Sequence, residues 1–497
     1  MLNVQCSMFA SYIFPPSLIR LTPVTILQNP QKALRHPMSL NRLAYLSILY
    51  LLSSILSPSI FATDLYWVGP DNGLWSDPNN WSLIPNGPGG AGVPTGGPFI
   101  AGDHAFVGVS ANQSLTFDGD YPPPNAGFGV LFLSASSNNS LTFLQSSGTL
   151  NSASESVGTG ALYSQSGGRN AMTSGFTVSG TYSLSGTGSL FEGGGVNISI
   201  TGSMIQTGGS AIGNNGVVLS SGGRYSLTAG SLGCDYLEIA DGSFTQGGGS
   251  VTSGQLFMSR SVSNHSTYNF SGGTISIPVE YIGEVGYASL NQTGGTNTFN
   301  TLHINANASY TLGAGVLQST PGPTFQIETL SGTMTQTGGT NLPNNLSIGG
   351  TYRLDGGSLT ASVLDNGGQF QLKPAASTSL ASYTQSSTGN LDLELDGTTP
   401  DLYAHLSPTS SASLAGLLTI DLASNFSHEL GDTFLLLDTP SLTGAFSSYN
   451  LPPLSPGLQW QPAYTPSSFS LTVVVPEPSA FLLLPSLLLL RRRRLQN

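Results

Sequence analysis

The sequence predicts an all-β protein whose central part is a parallel β-solenoid. A short motif, made of an aromatic or apolar residue, a spacer, a Leu or Gln and a Gly-rich turn, recurs ten times between residues 163 and 357. Its third position falls at residues 165, 184, 206, 227, 246, 270, 292, 312, 336 and 354, a mean spacing of 21 residues with steps of 18 to 24. Repeats of this length, with alternating apolar residues between glycine turns, match one coil of a solenoid. Helical repeats of the TPR or ankyrin type are longer and need helix formers that are missing here.

The repeat also predicts the size and the interior of the solenoid. Coils that stack ~4.8 Å apart would make ten coils a rod on the order of 50 Å long. The aligned Tyr, Leu and Phe residues are expected to form internal ladders. Alternation of Gln with Leu at the third position implies a larger repeat of two coils. A buried Gln needs hydrogen-bond partners, for which the backbone of the adjacent Gly-Gly turn is favoured. The alternatives are an exposed Gln and a sugar-binding Gln ladder.

The start of the chain has the features of a secretory signal. Asn41-Arg42 precedes an apolar stretch from Leu43 to Leu56, and a breaker zone ends at Ala62. These features predict a signal peptide over residues 38–62, cleaved after Ala62. Met38 is the more sensible start, so residues 1–37 are interpreted as a doubtful extension of the gene; an unusually long n-region is the alternative.

Residues 63–136 are expected to form an N-terminal β cap. Trp67, Trp75 and Trp81 lie among Asp, Asn, Gly and Pro residues typical of turns. Large aromatic side chains can close the open end of a solenoid. The alternative is a sugar-stacking platform with calcium bound by one of the carboxylates Asp71, Asp77 and Asp103. This W-x-G, W-x, N-W pattern resembles the segment that precedes β-helical passenger regions in autotransporter-like and surface-sorted bacterial proteins.

The solenoid is predicted over residues 137–389, and residues 390–474 are expected to form a C-terminal β cap or a small β-sandwich. The strands there are longer and contain fewer glycines, as in Asn390–Leu395 and Ala412–Leu422. Such a cap would protect the last sheet edge. The Tyr-Thr-Gln line at Tyr383, followed by these strands, resembles the C-terminal end of autotransporter-type passengers.

The final segment, residues 475–497, combines a Pro-Glu-Pro motif, an apolar stretch and four arginines. The two prolines favour extended backbone, which would present Glu477 to a membrane-bound enzyme. The arginines should remain on the cytoplasmic side. The combination resembles the PEP-CTERM sorting signal, the substrate tag of exosortase in Gram-negative bacteria. The matching residues are Pro476, Glu477, Pro478, Arg491, Arg492, Arg493 and Arg494.

This resemblance implies an exosortase-type processing enzyme as a partner. The apolar stretch from Ser479 to Leu490 contains Pro485 and is shorter than the ~20 residues of an unaided helical span. We therefore expect a transient contact of the tail with the inner membrane, after export, and a mature protein at the cell surface or in the extracellular matrix.

The charge and cysteine content narrow the function. Between Thr63 and Pro478 there are five Lys and Arg against twenty-five Asp and Glu, a net charge of −20. Such a surface repels nucleic acid and anionic membranes. Cys6 precedes the predicted cleavage site, which leaves Cys234 as the one cysteine of the mature part, and no intrachain disulfide is expected.

The strongest candidate for chemistry is a row of three acids, Asp392, Glu394 and Asp396, on one face of a predicted strand. The favoured interpretation is a solvated face, because Leu391, Leu393 and Leu395 alternate with them. Calcium binding is the alternative, and an acid–base pair for glycoside hydrolysis is the least favoured. Glu280 and Glu284 have no basic neighbour in the sequence.

No other pattern in the sequence indicates an active site. The histidines after Ala62 have no zinc-ligand spacing. A polysaccharide lyase would need a basic residue, and only five are spread along the mature part: Arg169, Arg224, Arg260, Arg353 and Lys373.

These features together predict an exported, exosortase-processed structural or adhesion protein without catalytic activity or cofactor. The alternative is an extracellular polysaccharide-binding protein, lyase or glycosidase on the same scaffold. A groove lined by at least two acids and a cation on one face of the solenoid would favour the enzyme.

Overall fold

The structure of the protein is a computed structural model that describes residues 62–94, 102–120, 128–193, 197–321, 327–424 and 426–476. The predicted N-terminal extension, the signal peptide up to residue 61, and the sorting-signal residues from Glu477 onward lie outside the described residues. Within them the chain is all-β, and two short 3-10 turns, Pro78–Asn80 and Pro400–Leu402, are its helical elements. The predicted fold class is confirmed.

Forty-one strands follow one another along the described residues. The first twelve are β1 (Asp64–Trp67), β2 (Gly73–Leu74), β3 (Trp81–Ser82), β4 (His104–Val109), β5 (Gln113–Phe117), β6 (Phe128–Ala135), β7 (Leu141–Gln145), β8 (Thr149–Val157), β9 (Ala161–Gln165), β10 (Arg169–Val178), β11 (Thr181–Leu184) and β12 (Ser189–Glu192).

The central strands are β13 (Ile198–Ile200), β14 (Ser203–Leu219), β15 (Gly223–Ile239), β16 (Gly242–Gln246), β17 (Ser250–Met258), β18 (His265–Phe270), β19 (Thr274–Ser276), β20 (Val279–Ile282), β21 (Tyr287–Gln292), β22 (Thr296–Phe299), β23 (Thr301–Ile304), β24 (Ala308–Leu312), β25 (Val316–Ser319) and β26 (Ile327–Leu330).

The remaining strands are β27 (Thr333–Gln336), β28 (Thr340–Leu342), β29 (Asn345–Ile348), β30 (Thr351–Leu354), β31 (Gly357–Asn366), β32 (Gln369–Leu372), β33 (Ala376–Gln385), β34 (Asn390–Leu395), β35 (Ser411–Leu414), β36 (Leu417–Leu422), β37 (Thr433–Asp438), β38 (Leu442–Gly444), β39 (Ser448–Asn450), β40 (Gln459–Tyr464) and β41 (Ser468–Val474).

Each coil of the solenoid contributes a strand to each of three parallel sheets. Sheet 1 carries the repeated motif, so Tyr163 pairs with Tyr182 one coil later. Sheet 2 follows the Gly turn and aligns β10 with β12. Sheet 3 completes the coil and aligns the end of β10 with β13. The long strands β14 and β15 bend through all three sheets. All ten copies of the motif lie in register on sheet 1, which confirms the repeat found in the sequence.

The parallel pairing continues on both sides of residues 137–389. On the N-terminal side β5 pairs with β7, and on the C-terminal side β34 pairs with β36. Residues 63–136 therefore contain coils, preceded by the antiparallel pair of Trp67 and Trp81. Residues 390–474 contain both further coils and a separate antiparallel sheet, ordered β37-β41-β40.

Glycine is required where the chain turns from sheet 1 to sheet 2. Gly315 has φ +85°, and a Cβ built on it would lie 2.4 Å from the carbonyl oxygen of Gly295 in the preceding coil. Only glycine combines this left-handed conformation with such a close approach of stacked backbones. The stacked turns therefore leave no room for a side chain at this position.

Candidate functional site

The three N-terminal tryptophans pack against the first coils. Trp75 and Trp81 are fully buried and Trp67 nearly so. The ring centroid of Trp75 lies 4.6 Å from that of Trp81 and 5.6 Å from that of Phe117, while Trp81 Nε1 donates to the carbonyl of Trp75 at 2.9 Å. Because their faces are covered, these rings cannot form a sugar-stacking platform. The geometry favours the capping interpretation of the sequence.

The N-terminal carboxylates are engaged in local turns. Asp71 accepts from the backbone N–H and the hydroxyl of Ser114, and these hydrogen bonds lower the pKa of Asp71. Asp77 accepts from the backbone N–H of Asn79 and begins the first 3-10 turn, and Asp103 accepts from the backbone N–H of Thr63 at 3.2 Å. These acids therefore have structural partners that need no calcium.

The repeated Gln residues are buried and bonded to the turns. Gln206 Nε2 donates to the carbonyl of Gly209 at 3.3 Å and to that of Ser231, in the next coil, at 2.9 Å. Its Oε1 accepts from the hydroxyl of Tyr225 at 2.5 Å. The expected turn role is confirmed, and a sugar-binding Gln ladder is wrong because the amides face the interior.

The residue at the third motif position of one coil is matched to the residue at the first motif position of the next coil. Where a coil has Gln, the next coil supplies a Tyr whose hydroxyl reaches the Gln, and where a coil has Leu or Phe, the next coil supplies a residue without a hydroxyl. The Gln–Tyr pairs are Gln145–Tyr163, Gln165–Tyr182, Gln206–Tyr225, Gln246–Tyr268, Gln292–Tyr310 and Gln336–Tyr352. The pairs without a hydroxyl include Leu184–Met204, Leu227–Phe244 and Leu354–Phe370. The two-coil alternation is therefore a hydrogen-bonding rule between neighbouring coils.

Three glutamates point into the interior from sheet 3, a burial that the sequence patterns above did not predict. Glu155, Glu280 and Glu328 are at most 3% exposed, and each accepts a hydrogen bond from a buried Asn of sheet 2. The three carboxyl–amide pairs are Glu155–Asn170, Glu280–Asn297 and Glu328–Asn341. Each Asn amide also reaches the hydroxyl of a Tyr that serves a Gln. The signal was present in the sequence, because each Glu lies two residues before an inward apolar residue, as Glu280 lies before Ile282.

Burial controls the protonation of these acids. Loss of hydration raises the pKa of Glu155 to about 7, that of Glu280 to about 8 and that of Glu328 to about 7. The Asn hydrogen bond lowers each value, but by less than burial raises it. None of the ion pairs within the described ranges involves these carboxylates.

The acidic row of β34 is only partly solvated. Asp392 is 6% exposed and accepts from Gln371 at 2.8 Å, so the expectation that it faces water is wrong: side chains of the preceding coil cover it. Burial raises the pKa of Asp392. Glu394 pairs with Lys373 at 3.2 Å, and Asp396 is exposed. Over the described parts of the chain, no three His, Cys, Asp or Glu side chains are arranged to hold a metal ion.

Two arginines, Arg169 and Arg260, contact side chains on the outer surface of the coils. Arg260 lies over the ring of Phe257 at 4.4 Å, and its guanidinium donates to Glu284 at 3.0 Å and to Glu238 at 3.5 Å. Arg169 lies over Phe191. Glu284 thus has a basic partner that its sequence neighbours did not reveal. Two acids and a cation do meet on sheet 3, but on the outer surface.

The outer surface of sheet 1 carries two columns of uncharged polar side chains over five consecutive coils. Their members are Ser243, Thr245, Thr267, Asn269, Ser289, Asn291, Ser309, Thr311, Thr333 and Thr335. Sheet 3 instead carries a half-buried aromatic stack, in which Phe257 lies 5.5 Å from Tyr281 and Tyr281 lies 5.0 Å from His303. In this stack the rings cover one another's faces.

Two clefts are described, and neither has the pair of carboxylates that glycoside hydrolysis uses. The larger, about 500 Å³, crosses four coils between sheets 2 and 3, and its described lining, which includes Ser319, Asn344 and Thr360, contains no titratable side chain. The smaller, about 250 Å³, has Asp401 and His405 in its lining, with a single carboxylate. Glycoside hydrolysis uses two.

Cys234 is half-buried, and burial raises the pKa of its thiol to about 11, so the thiol is neutral. In the part of the chain that the structure describes, no helix is long and apolar enough to cross a membrane.

Comparison of the chain with protein-family models and with curated proteins finds no match.

Proposed function

We propose that the protein is an exported structural or adhesion component of the cell surface or extracellular matrix, released from the membrane by an exosortase-type enzyme. The observation that carries the proposal is the C-terminal Pro-Glu-Pro motif with its apolar run and four arginines. The last strand, β41, ends at Val474, and Val475 is 57% exposed. The motif thus begins two residues after the last strand.

A rod fits this role because its surface repeats. The Ser, Thr and Asn columns of sheet 1 offer uncharged hydrogen-bonding groups in successive coils, which suits contact with an extended neutral polymer. The net charge of −20 disfavours anionic polymers. The role needs no catalytic group.

Sorting is tested with Glu477→Ala in an exosortase-positive host. The expected result is loss of the surface or released form and retention of an uncleaved chain in the membrane fraction, measured by fractionation and by intact mass of the C-terminus. Glu429→Ala, at an exposed glutamate of the folded part, is the control and should be processed normally. Unchanged cleavage and release of the Glu477 variant would contradict the proposal.

The second candidate function is binding of a neutral polysaccharide, with no catalysis. The uncharged lining of the larger cleft favours it. Thr360 is an exposed residue of this lining, so Thr360→Arg should reduce retention of the protein on an insoluble neutral glucan if the cleft binds it. Equal retention of both proteins would exclude the cleft as the binding site. Turnover of a soluble polysaccharide would instead favour a lyase or glycosidase.

A further inference from the structure

Two buried carboxyl–amide pairs in the middle of the solenoid lack one donor each. Asn297 Nδ2 donates to Glu280 Oε2 at 3.1 Å, and Asn341 Nδ2 donates to Glu328 Oε2 at 3.0 Å. The other carboxyl oxygen of each Glu, Oε1, and the amide oxygen of each Asn, Oδ1, are buried without a hydrogen-bond partner among the described residues. Four buried acceptors without donors would be costly if the glutamates were ionised.

No described residue supplies a positive charge to the two carboxyls. Glu280 is stacked between Leu256 and Leu302, and Glu328 between Leu302 and Leu346. The titratable groups that face the two carboxyls from the packed strands are Tyr268, Tyr310 and Tyr352, on β18, β24 and β30. Each is a neutral phenol, since burial raises its pKa well above the usual value.

We propose that Glu280 and Glu328 each bind a proton in the folded rod and, as neutral acids, close a two-hydrogen-bond pair with Asn297 and Asn341, a proton-dependent lock between sheets 2 and 3. The acid O–H donates to the amide oxygen while the amide N–H donates to the acid carbonyl, so one proton from solvent satisfies both unpartnered oxygens of each pair. Deprotonation removes the donor and leaves a carboxylate in an apolar interior. The lock therefore holds in acid and loosens in alkali.

The sign of the pH dependence follows from linkage. The folded state raises the pKa of Glu280 from 4.5 to about 8 and that of Glu328 from 4.5 to about 7. The stability that these groups contribute is complete below pH ~4.5 and is lost as the pH rises through 7 and 8. An ion-paired carboxylate would show the opposite sign, because its contribution to stability increases as the pH rises.

The test uses the full chain with Glu280→Gln, with Glu328→Gln and with both substitutions together. Gln keeps the shape and carries the missing donor permanently. We expect the double variant to unfold at a higher temperature than the parent at pH 8.5 and at the same temperature at pH 4.5. The control Glu429→Gln changes an exposed side chain. The difference between its unfolding temperatures at pH 4.5 and pH 8.5 should be the same as in the parent.

Infrared spectroscopy gives a readout that does not depend on stability. The parent should show a protonated-carboxyl band at pH 6 that disappears as the pH passes 8. The double variant should lack the contribution of Glu280 and Glu328 to this band. In the parent, amide hydrogen exchange in β20 and β26 should accelerate above pH 8 relative to β14. An absent band at pH 6, or a Gln variant with the same stability difference from the parent at pH 4.5 and 8.5, would overturn the proposal.

Discussion

The hydroxyl of Tyr225 and the amide of Gln206 satisfy each other in the interior, and neither has water to replace its partner. Removing one member leaves the other buried and unsatisfied, which costs about 1–3 kcal/mol. We therefore expect Gln206→Leu and Tyr225→Phe each to lower the free energy of unfolding by about that amount. The double variant recreates the Leu227–Phe244 pair that the chain uses one coil later.

A double-mutant cycle in urea tests this pair. The expected coupling energy is positive, with the double variant losing less than the two single variants summed. Additive losses would mean that the alternation of Gln and Leu reflects packing alone.

Glu155 differs from the other two buried glutamates because the hydroxyl of Ser152 donates to its Oε1 at 2.9 Å. This hydrogen bond favours the ionised form and lowers the pKa of Glu155 below what burial alone would give. Ser152→Ala should therefore raise the pKa of Glu155 and destabilise the rod more at pH 8.5 than at pH 5. Urea unfolding at both pH values measures this, with Ser156→Ala, on the outer side of the same strand, as the control. An equal loss at both pH values would show that Ser152 acts only by packing.

The positions of the turns could be predicted from the sequence. The contacts between coils could not, because they depend on which residues of successive coils are stacked. The period of 21 residues located sheet 1 and its glycines. The same period places Glu394 one coil after Lys373 and Glu284 one coil after Arg260. These ion pairs are not visible when only the sequence neighbours of each residue are considered. The burial of Glu280 ran against the usual exposure of charged residues, because only the interior Asn and the protonation of the acid make it tolerable. Sheet 3 and the antiparallel end sheet could not be separated in the sequence, since their strands have the same alternation.

Replacing a glycine of the turns can destabilise the protein in two ways, through the left-handed backbone conformation and through a clash with the preceding coil. Gly222 and Gly315 both have positive φ, +81° and +85°, but a Cβ on Gly222 meets nothing within 4 Å, whereas one on Gly315 meets the backbone of the preceding coil. Gly222→Ala should cost about 1 kcal/mol from the left-handed conformation alone. Gly315→Ala should cost about 3 kcal/mol, because stacked backbones must separate. Calorimetric unfolding compares them, and equal losses would show that the coils can spread at the turn.

The rod as a whole needs no disulfide, since Cys234 is the free cysteine of the described residues. Backbone ladders and one continuous apolar core hold it. The melting temperature of the chain from Thr63 should therefore be unchanged by a reductant. Cys234→Ser is the control for a bond between chains: a reductant effect that this variant abolishes would reveal such a bond.

The end of the rod depends on the antiparallel sheet β37-β41-β40. Phe434, Leu437 and Phe469 belong to the same buried cluster as the coils, and the ring of Phe469 lies 5.2 Å from that of Phe446, just before the last coil strand β39. Ending the chain at Asn450 removes β40 and β41, which uncovers β37 and its apolar side chains. An unpaired strand beside exposed apolar surface is a template for pairing with another chain. We expect this variant to form dimers or larger assemblies in light scattering. A chain ending at Val475, which lacks only the tail, should keep the oligomeric state of its full-length counterpart. A monodisperse monomer ending at Asn450 would show that the last coil protects its own edge.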